Sequence, residues 1–197
     1  LTVEKYGVIL ENEHAAEAHI YAVLRNVSGK RLPIQTVQMK AVGANGKALH
    51  EERYVSHLPD VIEPGETMIV SEWMYDFTKD IGKVSGMEIT VETSTRAYTR
   101  WTRLDGVRAW REGQYLCVEL TNTTEETLYG AVCGAILEDA DGRILDAMMQ
   151  SAYATEDMGL LPGSSVIWRK RLEDSATLEI GTGELTCEAW AYRIEEI

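Results

Sequence analysis

The chain has 197 residues, of which 45% are apolar and 26% are charged, a composition typical of a folded globular protein. Its net charge of −13, from 32 acidic and 19 basic residues, argues against a nucleic-acid binder and against docking on anionic lipid. No run approaches the roughly 18 apolar residues of a membrane helix, so we expect no membrane span. Five Trp and nine Tyr beside one Phe are an unusual aromatic balance.

The predicted elements, in chain order, are mostly strands. The stretch 11–22 is rich in Ala and Glu, but its end aligns with a later strand, so we predict a loop followed by a strand. Apolar and polar residues alternate over 37–41, 88–93 and 116–120, as in half-buried antiparallel strands. A short helical turn is predicted near 75–81.

Turn residues separate these strands. Asn45-Gly46 and Asp141-Gly142 predict type I′ hairpin turns, because both dipeptides tolerate two successive positive φ angles. Pro64-Gly65 and Pro162-Gly163 predict a second turn, each placed just before an apolar run. Turns at these intervals without a sustained helical period indicate a β-sandwich of the immunoglobulin type.

An internal repeat organises the chain. Residues 21–28 align with 117–124, and 89–92 align with 185–188, both at an offset of 96. The offset is 98 at the two Pro-Gly turns, as expected for a two-residue loop insertion. We therefore predict two tandem immunoglobulin-like antiparallel β-sandwich domains, 1–102 and 103–197. Their short junction, which is not rich in Ser, Gly or Pro, predicts a fairly stiff arrangement.

The second copy carries motifs that resemble the bacterial FxLYD-type domains. These are the Asn122-Thr123-Thr124 turn, the strand 135–139, the Asp139-Ala140-Asp141-Gly142 hairpin and the Leu161-Pro162-Gly163 turn. Ala135 and Glu138 stand where the family pattern has Phe and Tyr. The resemblance implies a small module of exported or membrane-anchored bacterial proteins, an extracytoplasmic location and no enzyme activity.

No catalytic residue, metal ligand or cofactor site is predicted. Asp139 and Asp141 resemble the start of a calcium loop, but the later ligand positions do not fit, so a hairpin turn is favoured over a weak site with Asp146. The four His all lie in the first copy, and no nucleophile elbow or phosphate-binding loop is present. Asn26 and Asn122 fit glycosylation acceptors, but side chains bonded to a turn are the simpler interpretation.

Cys117, Cys133 and Cys187 lack the spacing of a zinc site. Buried free thiols are the favoured interpretation, and a disulfide between two of the three is left open. Residues 1–101 carry a net charge of −3 and residues 102–197 carry −10. A solvated surface explains this asymmetry, and a cationic partner for the second domain is the alternative.

The strongest site hypothesis is an apolar patch on the outer sheet face of the second domain. Alternation places Val132, Ile136, Trp190 and Tyr192 outward, where the first copy has polar residues; Tyr115 and Cys117 are further candidates. Three explanations stay open: cover by the other domain or a second copy, a protein or glycan ligand, or a one-residue register error. Trp168 is expected in the core and Trp101 between the domains, while Trp73 and Trp110 have no assignment.

The leading functional hypothesis is a non-enzymatic extracytoplasmic binding, adhesion or spacer module of a bacterial envelope or surface protein. Its partner would be an unknown protein or glycan, or a second copy bound through the second domain. The alternative is a carbohydrate-binding or accessory module of a secreted hydrolase, with Trp190 and Tyr192 as the stacking platform. An enzyme is the third hypothesis.

Overall fold

A computed structural model describes residues 1–12, 17–74, 83–151, 159–172 and 184–196. With 68% strand and 1% helix, it confirms the all-β class. The helical turn predicted near 75–81 and the loop predicted before the second strand lie largely outside the described residues. The end of the 11–22 stretch is a strand, as predicted.

Fifteen strands are described, all paired as antiparallel neighbours. The first eight are β1 (Thr2–Asn12), β2 (Glu17–Arg25), β3 (Leu32–Gly43), β4 (Ala48–Arg53), β5 (Ser56–Leu58), β6 (Val61–Ile62), β7 (Thr67–Met74) and β8 (Val84–Thr93). The next seven are β9 (Thr99–Arg103), β10 (Val107–Glu112), β11 (Tyr115–Thr121), β12 (Ala131–Glu138), β13 (Ile144–Ser151), β14 (Ser165–Arg171) and β15 (Thr186–Glu196).

These strands form four main sheets. Sheet I has the order β1-β2-β7-β5, and sheet II has β4-β3-β8 with the short β6 beside the start of β3. Sheet III has the order β13-β12-β15-β9, and sheet IV has β10-β11-β14. Pairings recur along the chain, since β2–β7 matches β11–β14, and β4-β3-β8 matches β13-β12-β15.

Two apolar cores lie between pairs of sheets. Alternate residues of β2 and β3, such as Ile20 and Met39, fill the core between sheets I and II. Alternate residues of β11 and β12, such as Leu116 and Leu137, fill the core between sheets III and IV. Trp168 packs partly buried against this second core, as expected. The fold is therefore β-sandwich-like, with one face of every main sheet committed to a core.

The turns that follow β2 and β11 are built in the same way. Asn26 and Asn122 are each 1% exposed, and each side-chain amide donates to two backbone carbonyls. The amide oxygens accept from Ser28 and Thr124, through both the backbone N–H and the hydroxyl. Because both side chains are buried and hydrogen-bonded within the turn, the two Asn fit the turn interpretation and not the glycosylation one.

The hairpin prediction needs a correction. Among the described non-glycine residues, only Tyr54 has a positive φ, so neither Asn45 nor Asp141 takes the conformation that a type I′ turn requires. Within these two loops only Gly46 and Gly142 are left-handed, at 73° and 76°, and each ends a turn in which its N–H donates to the carbonyl of residue 43 or 139. The loops are therefore three residues long, and a register shift follows each of them.

Candidate functional site at the seam between sheets I and III

A third apolar cluster, which we call the seam, joins the outer faces of sheets I and III. Sheet I contributes Tyr21, Val23 and Ile69 together with Leu58, and sheet III contributes Ile136, Ile144, Ala147, Trp190 and Tyr192. The four sheets are thus stacked in the order II, I, III, IV. The seam is where the two halves of the chain meet.

The predicted patch residues all belong to the seam. Trp190 is 3% exposed and Tyr192 is 1% exposed, Ile136 is buried, and Val132 packs partly buried against the same cluster. Their predicted direction, away from the second core, is confirmed. In this packing they do not face solvent, because sheet I covers them. Of the three explanations, cover by the other half of the chain is the one observed.

The other Trp residues now have places. Trp101 packs against the seam, edge-on to Tyr192 with ring centroids 5.9 Å apart, in keeping with the predicted wedge. Trp73 lies at one end of the seam, and Trp110 lies on the far face of sheet IV under the Arg108 guanidinium. Tyr115 and Cys117 lie on sheet IV and not in the seam, with Tyr115 exposed and Cys117 buried.

Small residues let the two sheets approach closely. A Cβ added to Gly7 of β1 would lie 2.4 Å from the backbone oxygen of Ile144. A Cβ added to Gly134 of β12 would lie 3.1 Å from Leu58 and 3.3 Å from Ile69. Sheet I therefore contacts β13 at a distance that only glycine permits at position 7, and it contacts β12 closely at Gly134, where a Cβ would require the Leu58 and Ile69 side chains to shift.

An ion-pair cluster closes one side of the seam. Lys5 of β1 pairs with the nearly buried Glu138 of β12 and, at 3.5 Å, with Glu188 of β15. Burial of Lys5 acts to lower its pKa, but the hydrogen bond and charge of Glu138, followed by those of Glu188, outweigh it and raise the pKa. The cluster favours the charged lysine and ties the edge of sheet I to sheet III.

A chain of polar side chains crosses the other side. Lys170 Nζ donates to Asp146 Oδ1 at 2.7 Å, to the carbonyl of Ala147 at 3.1 Å and to Tyr21 Oη at 2.9 Å. Tyr21 Oη lies 2.6 Å from His19 Nδ1, and His19 Nε2 lies 2.6 Å from Ser71 Oγ. Five side chains from β2, β7, β13 and β14 are thereby joined.

The direction of these hydrogen bonds follows from the ammonium group. Lys170 can only donate, so Tyr21 accepts from it and donates its own hydrogen to His19 Nδ1. A neutral imidazole then carries its hydrogen on Nε2, which donates to Ser71 Oγ. Ser71 is an acceptor in this arrangement, whereas an activated serine nucleophile must donate its hydrogen to the imidazole.

A cavity of about 270 Å³ opens beside these hydrogen-bonded polar side chains. Its described lining comes from sheet I and from β13 and β14: His19, Tyr21, Ser56, Ser71, Glu72, Trp73, Ala147, Met148, Met149, Gln150 and Lys170. Trp73 is 37% exposed and stacks on His19 with ring centroids 4.3 Å apart. The cavity therefore combines a partly exposed aromatic ring with hydroxyl and amide groups.

Sequence reasoning missed this site because its residues are far apart in the chain. Tyr21 and Lys170 are separated by 149 positions. The sequence did contain one signal for this contact. Tyr21, Val23 and Ile69 point outward from sheet I and are mostly apolar, and the outward residues of sheet III are mostly apolar as well. Two apolar faces in one chain predict a contact between them.

The remaining predicted features are ordinary structural elements. Asp139 Oδ1 accepts from the backbone N–H of Asp141 and Arg143, and these hydrogen bonds, the backbone one from Arg143 first, lower the pKa of Asp139. Asp146, the third ligand of the weak cation hypothesis, binds Lys170 instead. The three cysteines are free, and burial raises the pKa of Cys133 to about 12. Among the described residues, no group of three or more potential ligands could hold a metal ion.

The described part of the chain contains no helix that is both long and apolar enough to cross a membrane. No protein-family model matches the sequence, and no curated protein matches it. A structural search returns a calcium-binding mutant of Bacteroides uniformis beta-glucuronidase 2, at a TM-score of 0.22 and 10% identity over 79% of this chain. The chain spans only 21% of that protein's length, and a likeness this low carries no argument about fold or function.

Proposed function

We propose that this chain is a non-enzymatic, rigid two-domain spacer and binding module of the bacterial cell envelope or surface. Its units would be tandem immunoglobulin-like β-sandwiches, 1–102 and 103–197, located outside the cytoplasm. The seam is the observation that carries the proposal, because a buried apolar contact between the halves holds them in one relative orientation.

Equivalent structure in the two halves supports the tandem arrangement. Strands β2, β3, β4, β7 and β8 and strands β11, β12, β13, β14 and β15 have matching neighbours. The Asn26 and Asn122 turns, 96 residues apart, make matching hydrogen bonds. Gly65 and Gly163 are both left-handed and both donate to the carbonyl of the turn Asn, at the offset of 98.

The strand order supports an immunoglobulin-like unit. Each half has its first, second and fifth main strands in one sheet and its third, fourth and sixth in the other, so the chain crosses between the sheets after the second, fourth and fifth strands. Such an exchange of strands between two packed antiparallel sheets is characteristic of immunoglobulin-like sandwiches. The FxLYD-type resemblance, which also carries the extracytoplasmic location, is consistent with that fold.

The polar chain supports a structural role over catalysis. Ser71 and His19 are the arrangement that most resembles a nucleophile and base, but the Lys170 ammonium directs the hydrogen bonds the opposite way. Asp146 forms an ion pair with Lys170, and Lys170 donates to Tyr21, so the described network binds the two halves together. Trp190 and Tyr192 no longer support a carbohydrate platform, because sheet I covers them.

Small-angle X-ray scattering tests the rigid arrangement. The wild-type chain is expected to give a radius of gyration near the ~16 Å of a compact chain of this length. Ile136→Lys, which places a charge in the seam, is expected to give a larger radius, whereas Lys40→Ile on the open face of sheet II leaves it unchanged. An expanded wild-type chain would overturn the rigid module.

Cell fractionation tests the location. The full-length gene product is expected in the envelope fraction or the medium. Recovery of the protein in the cytosol would remove the envelope part of the proposal while leaving the two-domain packing to the scattering experiment.

A further inference from the structure

The geometry points to the seam cavity as a binding site for a neutral, polyhydroxylated small ligand of about one sugar ring, with Trp73 as its stacking surface. The inference rests on the proposed packing of the two halves, because both halves contribute to the cavity wall. It does not use Trp190 or Tyr192, which are covered.

The size of the cavity suits a small ligand. About 270 Å³ lies just below the ~300 Å³ at which pockets for drug-sized ligands begin. One pyranose ring with its hydroxyl groups is a ligand of this scale, whereas an extended peptide or a nucleotide is larger.

The charges of the cavity favour a neutral ligand. The described charged residues of the lining, Lys170 and Glu72, have opposite signs, so together they give the cavity no excess charge to attract an ion. Lys170 already donates to three acceptors, including Asp146, so it has no donor left for an anion. Its ammonium also lies 5.4 Å from the centre of the Tyr21 ring and disfavours a cation beside that ring.

The polar groups of the lining suit hydroxyls. Ser56 and Ser71 are direct neighbours across β5 and β7, and Gln150 reaches the cavity from β13 on the opposite sheet. Hydroxyl and amide groups both donate and accept, as a ligand hydroxyl does. Ser71 accepts from His19 and thus keeps its own hydrogen as a donor.

Trp73 supplies the apolar part of the site. It pairs with His19 across β2 and β7, and His19 is in turn held by Tyr21 and Ser71. The imidazole stacks nearly parallel to the indole, at an interplanar angle of 25°, and so restrains the indole ring before any ligand arrives. A preorganised aromatic ring lowers the entropy cost of binding.

Saturation-transfer NMR on the full chain tests the inference. The probes are methyl β-D-glucopyranoside, methyl β-D-galactopyranoside and N-acetyl-D-glucosamine, with D-glucuronate and D-glucosamine as charged counterparts. Wild type is expected to transfer saturation to at least one neutral probe with a millimolar dissociation constant. Trp73→Ala should weaken binding at least tenfold, and Trp73→Phe should restore part of it.

Trp110→Ala is the matched control, since Trp110 is partly buried on sheet IV away from the cavity, and it should bind like wild type. Binding by none of the neutral probes, equal binding by Trp73→Ala, or tighter binding of a charged counterpart would each overturn the inference. Scattering of the same samples separates the two proposals: a compact chain without binding defeats this inference alone, and an expanded chain defeats the packing on which it rests.

Discussion

Sheets II and III occupy matching positions in the two halves, yet the outer face of sheet III is buried and the outer face of sheet II is exposed. At matching positions of the strand pairing, sheet III carries Ile136, Trp190 and Tyr192 where sheet II carries Lys40, Thr90 and Glu92. Sheet I covers the first set, and the second set faces solvent or is partly exposed. The strand pattern is the same, so the outward side chains decide which face is covered.

Sheets I and IV show the same contrast. Sheet I brings Tyr21 and Val23 to the seam, and the positions 96 residues later on sheet IV are Cys117 and Glu119. Charged residues of sheet IV form ion pairs within the sheet, since Arg108 pairs with Glu119 and Arg169 lies 3.1 Å from Glu112. The covered faces are mostly apolar, whereas the open face of sheet IV is mixed, with these ion pairs beside the exposed Tyr115 and Ile167.

Exchanging the residues at positions 40 and 136 is the strongest way to break this contrast. Ile136→Lys is expected to lower the free energy of unfolding by about 3 to 4 kcal/mol, because it buries an unpaired ammonium in the seam. Lys40→Ile, on the open face, should change it by less than about 0.5 kcal/mol. Urea denaturation measures both, and equal effects would mean that the two faces are not different in kind.

Substitution in the row of hydrogen-bonded polar side chains should lower the stability by nearly as much. Asp146→Ala removes the buried carboxylate that contacts Lys170 at 2.7 Å and is expected to cost about 3 kcal/mol, as for other buried ion pairs that lose one partner. Glu112→Ala breaks an exposed pair on sheet IV and should cost less than about 1 kcal/mol. Thermal unfolding of the two variants gives the comparison, and a small loss for Asp146→Ala would contradict a structural role for the network.

Adding a side chain where the two backbones approach closely should lower the stability by a smaller amount. Gly7→Ala is expected to cost about 2 kcal/mol, because its Cβ meets the rigid backbone oxygen of Ile144 and must push the sheets apart. Gly86→Ala on sheet II is the control, since its nearest neighbour is a Val42 methyl at 3.4 Å, and it should be neutral within about 0.5 kcal/mol. Denaturant midpoints that shift equally would rule out a tight seam at Gly7.

The smallest effect at neutral pH concerns the Tyr192 hydroxyl, which is buried and has no hydrogen-bond partner among the described residues. Burial, and then the charge of Glu66, raise its pKa to about 12 against the opposing charge of Arg103. Since the folded-state pKa exceeds the unfolded value of about 10, its contribution to stability is complete below pH 10 and is lost as the pH rises towards 12.

Tyr192→Phe is therefore expected to change stability by less than about 1 kcal/mol at pH 7 and to remove about 2 kcal/mol of the alkaline loss. Unfolding measured from pH 8 to pH 12 for both proteins tests this. The difference between the two curves isolates Tyr192 from other groups that titrate in the same range, such as Cys133. If the stability of the two proteins falls in parallel as the pH rises, the Tyr192 hydroxyl is not shielded from water in the folded state.

Much of the fold could be predicted from the sequence because strands and turns are encoded locally. Alternation identified the outward direction of Ile136 and Trp190, and Asn26 and Asn122 marked the same turn twice. The hairpin type was wrong, because Asn-Gly and Asp-Gly tolerate two successive positive φ angles but do not require them. The polar chain could not be predicted, since no local pattern links Ser71 to Lys170.

The sequence by itself determined the all-β class, the position of the turns and the presence of an apolar face that needed cover. Those features depend on residues close together in the chain. Only the tertiary structure decided what covers that face, because burial against sheet I requires two surfaces brought together from the distant β2 and β15 strands. The same packing created the cavity, which neither half forms alone.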